Sequence, residues 1–143
     1  MTAIVSPSRI AEVMGLRRKV RSLSELSAAV QSGLPKSALR CSVARVFPEG
    51  RERTDMLYRV IPEATYKRRR DQLRADESER TERLARVIAT AEYVWDDDDD
   101  ARRFLTSPHA LLEGQRPIDV ALTELGARSV EEILWKLYYG IAA

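Results

Sequence analysis

Four consecutive basic residues, Lys67–Arg70, form an uninterrupted run of cations in the chain, within the stretch IPEATYKRRRD. A cationic helix that begins near Pro62 would present its first turns to the phosphates and base edges of a DNA groove. Because consecutive helical residues are rotated by about 100°, only one or two of the arginines can face the same groove. The alternative interpretation is a solvated basic helix. The residues that we predict to contact DNA are Thr65, Tyr66, Lys67, Arg68, Arg69 and Arg70.

Three further sets of reactive side chains predict structural roles. Asp96–Asp100 lacks the alternating ligands and the turn glycine of a calcium loop, so we expect its last aspartates to cap a helix. His109 is the single histidine and has no partner at a metal-ligand spacing, which predicts a structural or exposed side chain. Cys41 lies among apolar helical positions, which predicts a core position. Since phosphate-binding and nucleophile motifs are also absent, we expect a protein that is not an enzyme and has no catalytic residue, metal or cofactor.

The C-terminal stretch LWKLYYGIAA concentrates aromatic residues beside an apolar tail. Trp135, Tyr138 and Tyr139 lie within five positions, although the same predicted helix already has an aliphatic stripe for packing. Tyr and Trp are favoured anchors of protein interfaces, so the additional aromatic residues predict a partner surface. The alternative is that they pack on the protein's own small domain.

The elements that must position these residues are predicted to be helices throughout, since period-2 alternation and hairpin turns are lacking. Ser22 begins one helix with capping-box spacing, and Gly33 ends it. Near the C-terminus, Gly126 is predicted to end one helix, Ser129 to begin the last one, and Gly140 to end it.

A long helix is predicted between the basic run and the aspartates. Its apolar stripe recurs at spacings of three and four and consists of Leu84, Val87, Ile88 and Ala91. Helix-turn-helix proteins commonly bind two DNA half-sites as dimers, so we predict that this stripe pairs with a second copy of the chain. The alternative is packing within one chain.

Charge and composition limit the classes of partner and compartment. Residues 1–70 contain 15 Lys and Arg against 6 Asp and Glu, a net charge of +9, whereas residues 71–143 contain 9 against 16, a net charge of −7. The basic half suits a polyanion, which the acidic half would repel. One cysteine, no signal-peptide pattern and no apolar run near the ~20 residues of a membrane span predict a cytoplasmic protein.

The motifs IPEATYKRRR, ESERTERLARVIATA and RPIDVALTELGARSVEEILWKLYYGIAA together resemble the Xre/MbcA/ParS group of antitoxins, which are paired with RES-domain toxins. The resemblance extends from about Gly33 to the C-terminus, and RPID…TELGA is its most specific part. Phe104 stands where many relatives have Trp, and the expected turn of the DNA-binding motif lacks a glycine. Residues 1–20 resemble nothing in the family.

The resemblance implies an all-α fold with an Xre-like, lambda-repressor-like helix-turn-helix module. It implies a poorly ordered segment at 1–20, the DNA-binding module at 21–72, a dimerisation helix at 73–95 and a toxin-binding domain at 96–143. The expected partners are operator DNA, a RES-domain toxin that degrades NAD, and a second copy of the chain. The residues that we predict to bind the toxin are Arg128, Trp135, Lys136, Tyr138, Tyr139 and Gly140. The alternative is a stand-alone transcription regulator whose C-terminal domain only dimerises.

Overall fold

The computed structural model of the protein describes residues 4–141, and within that range every regular element is helical, as predicted. The α-helices are α1 (Pro7–Val13), α2 (Leu23–Ser32), α3 (Lys36–Val46), α4 (Arg51–Val60), α5 (Glu63–Arg68), α6 (Ala75–Trp95), α7 (Asp98–Thr106), α8 (Pro117–Val120) and α9 (Glu124–Tyr138). A short 3₁₀ helix, Ala110–Leu112, lies between α7 and α8. No helix in this part of the chain is long and apolar enough to cross a membrane.

Helix α6 is the centre of the fold, because α1, α2, α3, α4, α7 and α9 all pack against it. Its apolar stripe, which the sequence predicted to form a dimer interface, is buried within the single chain. The relative exposures are 1% for Leu84, 0% for Val87, 1% for Ile88 and 0% for Ala91. Pairing through this stripe would require the chain to give up its own core, so the predicted dimerisation site is wrong and the intrachain alternative holds. The homodimer itself stays a prediction and would need another surface.

The two halves of opposite charge share one hydrophobic core, which contains buried residues of both. Polar contacts also join them across the predicted domain limits at residues 72 and 95. Arg59 of α4 forms an ion pair of 2.6 Å with Asp119 of α8, and Arg102 of α7 donates a hydrogen bond to the carbonyl of Arg45 in α3. The two ends of the protein should therefore gain and lose their structure together.

The N-terminal segment differs from the poorly ordered segment that the sequence predicted. Residues 1–3 of that segment lie outside the described residues, but α1 is N-capped by Ser6, whose hydroxyl accepts a hydrogen bond from the Arg9 amide. Ile10 and Met14 are 1% and 0% exposed. Burial of these two large side chains beside α6 accounts for the order of α1.

The C-terminal helix begins earlier than the sequence predicted, because Gly126 does not end a preceding helix and Ser129 does not begin the last one. Thr123 caps α9, with its hydroxyl accepting from the Gly126 amide at 3.0 Å, and the helix continues through Gly126. A Cβ at position 126 would lie 1.8 Å from the carbonyl oxygen of Val120, so this glycine allows a close backbone approach instead of ending a helix. Ser129 is inside the helix, where its hydroxyl donates to the Leu125 carbonyl.

One further predicted helix end is confirmed, and the cap predicted among the aspartates is displaced. We expected the last aspartates of Asp96–Asp100 to cap the next helix, but α7 already begins at Asp98. Its cap is Asp97, whose carboxylate accepts a hydrogen bond from the Asp100 amide. After α9, Gly140 has a φ of +71°, and the Ile141 amide donates to the Lys136 carbonyl at 2.8 Å. This Schellman-type end fixes the direction in which the chain leaves the helix.

Candidate functional site

The basic run lies on α5, a helix of only six residues, and on the chain that follows it. Helix α4 precedes α5 and is joined to it through Ile61 and Pro62. Arg69 is the C-cap of α5 and has extended backbone angles. The four cations therefore do not lie on one regular helix.

Two residues of the predicted DNA-contacting set serve the fold. Tyr66 is 6% exposed, its hydroxyl donates to the Lys36 carbonyl at 3.1 Å, and burial raises its pKa. Arg69 forms a bidentate ion pair with Glu77 of α6, in which its Nε donates to Oε1 at 2.8 Å and its Nη2 donates to Oε2 at 2.7 Å. The hydrogen bond from Arg69 is the main cause that lowers the pKa of Glu77 from 4.5 to about 2. The prediction that Tyr66 and Arg69 contact DNA is therefore corrected, because both side chains are committed within the chain.

The other members of the set remain at the surface. Lys67 is exposed and forms an ion pair of 2.8 Å with Glu63 one turn earlier, an arrangement that is worth little in water. Thr65 is half-buried, and its hydroxyl lies 3.5 Å from Nη2 of Arg68. Arg68 and Arg70 are exposed, and neither forms an ion pair within residues 4–141. These two arginines are the cations of the run that remain available to a polyanion.

A concave surface beside α5 contains residues that the sequence did not indicate. Arg40 of α3, Arg53 and Tyr58 of α4, and Tyr66 line a pocket of about 510 Å³. Cys41 also lines it and is exposed, so the predicted core position of this cysteine is wrong. The residues come from three helices. Apolar neighbours in the sequence, on which the prediction for Cys41 was based, do not reveal which side of α3 the other helices cover.

The aromatic residues near the C-terminus form one cluster at the end of α9. Tyr138 lies between the rings of Tyr93, Trp135 and Tyr139, with centroid distances of 5.4, 5.5 and 5.1 Å. Tyr93 belongs to α6 and was not predicted, because its contact with α9 depends on how the two helices pack. The guanidinium of Arg9 in α1 lies 4.9 Å from the centroid of the Tyr93 ring. We call Tyr93, Trp135, Tyr138 and Tyr139 the aromatic cluster.

The members of the aromatic cluster differ in exposure. Tyr139 is 62% exposed and Tyr138 is 46% exposed, although the Tyr138 hydroxyl lies 3.2 Å from that of Tyr93. Trp135 is half-buried, and its buried Nε1 has no hydrogen-bond acceptor within residues 4–141. Ile141, just after the exposed Gly140, is 57% exposed. The apolar surface that a partner could cover is therefore formed mainly by the two tyrosines and the outgoing chain.

The two predicted cations of the toxin-binding set occupy different places. Lys136 lies within a turn of the aromatic cluster and forms an ion pair of 3.3 Å with Glu132. Arg128 is ten residues before Tyr138, which is about 15 Å along the helix axis, and it pairs with Glu124. It lines a separate groove of about 550 Å³ between α2, α6 and α9. Arg128 therefore does not share a compact patch with the tyrosines.

Ion pairs fix the position of α9 on α6. Arg86 of α6 lies between Glu82, at 3.2 Å, and Glu131 of α9, at 3.0 Å. Burial raises the pKa of Glu82, and the neighbouring Arg86 opposes that change. Arg83 adds a second connection to α9 through Glu124. These ion pairs and the hydrophobic core fix helix α9, which carries most of the aromatic cluster, against α6.

The histidine has a local structural role, as predicted. Nδ1 of His109 accepts a hydrogen bond from the Leu111 amide, and its ring contacts Phe104 edge to face at 5.9 Å. Within residues 4–141, no group of three or more His, Cys, Asp or Glu side chains is placed to hold a metal ion.

Comparisons with known proteins find similarity to antitoxins. Residues 90–140 match the family model described as the antitoxin Xre/MbcA/ParS C-terminal toxin-binding domain, and this range includes every member of the cluster. The chain is also 38% identical, over 84 residues, to the protein named Antitoxin Xre from Pseudomonas putida (strain KT2440). That alignment covers 57% of this chain and 53% of the relative, so the chain spans about half the length of the curated relative that it matches. The C-terminal part of the chain is thus similar to the toxin-binding domain of the Xre/MbcA/ParS antitoxins, the group that the sequence motifs resemble.

Proposed function

We propose that the protein is the antitoxin of a type II toxin–antitoxin module. It binds a RES-domain toxin that degrades NAD, covers the entrance of the toxin's active site, and represses its own operon by binding operator DNA. Both partners are cytoplasmic, and the antitoxin itself performs no catalysis.

The observation that supports neutralisation best is the exposed aromatic end of α9 inside a domain of a toxin-binding family. Rings that contact one another and are carried on a supported helix lose little conformational freedom when they are buried by a partner. Tyr139 is the most exposed member of the cluster, so it is the side chain best placed to act as an anchor.

The way the chain leaves α9 supports the proposal that the antitoxin covers the toxin's active site. The helix ends at Tyr138, and the turn at Gly140 directs the exposed Ile141 away from it. The exposed Tyr138, Tyr139 and Ile141 give this end of α9 an apolar surface that a cleft in a partner can bury. Lys136, one turn earlier, can meet acidic groups at the rim of the cleft by exchanging its surface ion pair with Glu132, which is worth little in water.

Operator binding is supported by the net charge of +9 on residues 1–70 and by the exposed Arg68 and Arg70. The pocket lined by Arg40 and Arg53 adds cations beside α5. Contacts of this kind supply affinity for the DNA backbone, whereas base recognition requires groups that reach the groove. Thr65 is the short polar side chain best placed for such recognition.

An NAD consumption assay tests neutralisation. The purified chain is titrated into the RES-domain protein encoded beside its own gene, and the remaining NAD is measured over time. We expect stoichiometric inhibition. An unchanged rate at an excess of the chain, with a complex also missing in size-exclusion chromatography, would contradict the antitoxin function and favour the stand-alone regulator.

A further inference from the structure

A second group of cations lies in the loop between α1 and α2, outside the run that the sequence singled out. Arg17, Arg18, Lys19 and Arg21 are all exposed, and within residues 4–141 none of them forms an ion pair. By contrast, Lys67 and Arg69 in the run of α5 are both paired with carboxylates. The loop therefore presents more unneutralised positive charge than the helix that the motif suggested.

The loop is anchored to the fold at both ends. Met14, which precedes the cations, is 0% exposed, and Val20, which lies between Lys19 and Arg21, is 3% exposed. The Gly15 amide donates to the Glu12 carbonyl at 3.0 Å, and the Leu16 amide donates to the Ala11 carbonyl at 3.1 Å. Gly15 has a φ of +63°, a conformation that a glycine adopts without strain. The backbone that carries the cations is thus held in place before any ligand binds.

The cations surround a concave surface. Arg18, Lys19 and Arg21 line a depression of about 320 Å³, together with Ser8 at the start of α1. Glu12 is the one carboxylate in this lining, and its Oε1 lies 3.8 Å from Nη2 of Arg45. Three cations and one carboxylate around a concave surface favour a group that carries negative charge, such as a phosphate.

The loop adjoins the cationic surface of the helices. A Cβ at Gly15 would lie 2.9 Å from the sulfur of Cys41, which shows that the start of the loop packs on α3. Cys41 in turn lines the pocket that contains Arg40 and Arg53. The start of the loop and the pocket that contains Arg40 and Arg53 therefore have Cys41 as a common neighbour, which places them on adjoining parts of α3.

We propose that loop 15–21 is a second phosphate-binding element, which contacts the backbone of the DNA beside the surface formed by α3, α4 and α5. This inference rests on the proposed operator binding and adds a contact surface to it. Contacts to phosphates position the protein and raise its affinity for any sequence, so the loop supplies affinity without base recognition.

The test compares two double variants that each remove two exposed positive charges. One is Arg18→Gln with Lys19→Gln. The control is Arg103→Gln with Arg128→Gln, whose side chains are 75% and 72% exposed and form only surface ion pairs. Binding is measured by fluorescence anisotropy, over a series of salt concentrations, with a duplex of the region upstream of the gene and with an unrelated duplex of equal length.

We expect the loop variant to bind both duplexes more weakly and its salt slope, the change of log K with log salt, to fall by about two. The control should bind like the wild type. Equal affinity and slope for loop variant and control would overturn the proposal, as would an effect confined to one duplex. A wild-type protein that binds neither duplex would overturn the proposal together with operator binding. A third double variant, Arg68→Gln with Arg70→Gln, removes the exposed cations of the basic run. If the loop variant binds weakly while this variant binds normally, the proposal for the loop is supported and the assignment of the basic run to DNA binding is wrong.

Discussion

Two regions of the molecule use their characteristic residues differently: the basic end, which is the run Lys67–Arg70 on and after α5, and the aromatic end, which is the aromatic cluster at the end of α9. At the basic run, Arg69 is paired with Glu77 and Tyr66 is buried. These two side chains therefore stabilise the fold and are not available to a ligand. In the aromatic cluster the rings pack against one another, yet Tyr138 and Tyr139 keep about half or more of their surface exposed. Residue type alone thus overstates the number of side chains available at the basic end and describes the exposed surface better at the aromatic end.

Substitution of the shared core should affect both ends at once. Ile88→Glu places an unpaired carboxylate where the native side chain is 1% exposed. That costs several kcal/mol, which is comparable with the whole stability of a domain at about 5–15 kcal/mol. We expect loss of the folded state by circular dichroism and loss of both DNA and toxin binding.

The matched control is Leu125→Glu, the same kind of change at a position that is 73% exposed in the first turn of α9. A carboxylate is favourable there, so we expect the melting temperature to stay within a few degrees of wild type. If Ile88→Glu instead gave a folded monomer, Ile88 would have to be part of a dimer interface and not of the core within one chain.

Deletion of residues 138–143 should abolish toxin binding and leave DNA binding intact. It removes the exposed tyrosines and the outgoing chain but leaves the buried Ile133 and Leu134 of α9 in place. We expect toxin neutralisation to be lost in a co-expression growth assay, while the shortened protein still shifts operator DNA in a gel. Normal growth on co-expression would place the inhibitory surface elsewhere on the domain.

The sequence predicted some features of the fold well and others badly, for physical reasons. A local signal such as the turn at Gly140 depends on neighbouring residues only, so the sequence predicted it. A cap among the five aspartates was also predicted, although it is Asp97 and not one of the last in the run. Gly126 misled because its role is a close approach to the Val120 carbonyl, which depends on how α8 meets α9.

The same distinction applies to the candidate site. The exposed tyrosines of α9 follow from composition and helical spacing. Tyr93, which completes the aromatic cluster, comes from another helix, and its contact with α9 appears only when the helices pack. The stripe at Val87 and Ile88 was recognised as apolar, but an apolar pattern does not reveal whether the surface facing it belongs to the same chain.

The ion pair between Arg69 and Glu77 should make stability depend on acidity. Because the pKa of Glu77 is lowered from 4.5 to about 2, the pair's contribution is present above the unfolded pKa and is lost as the pH falls towards 2. Glu77→Gln removes the charge partner of Arg69 and should lower the melting temperature by several degrees at neutral pH.

Thermal unfolding of wild type and Glu77→Gln, followed by circular dichroism from neutral to acidic pH, checks this prediction. The difference in melting temperature should be constant above about pH 5 and shrink as the pH falls. A difference that does not change with pH would show that the pair contributes through packing alone.

The smallest expected effect concerns the exposed cations of the basic end. Arg68→Ala and Arg70→Ala should each reduce the salt slope of operator binding by about one, without changing the melting temperature. Lys67→Ala is the internal comparison, because its charge is already offset by Glu63. Equal effects of all three substitutions would show that the intrachain ion pair does not withdraw Lys67 from DNA.

Calorimetric titration of Tyr139→Ala into the RES-domain toxin, with the melting temperature measured on the same sample, tests the role of the aromatic end most directly. Leu111→Ala is the control, since Leu111 is 57% exposed in the same domain but lies on the 3₁₀ helix. Loss of an interface anchor commonly costs about 2 kcal/mol, so we expect roughly 30-fold weaker binding for Tyr139→Ala, unchanged stability, and wild-type affinity for the control. Wild-type affinity of Tyr139→Ala would contradict the assignment of the aromatic cluster as the toxin-binding surface.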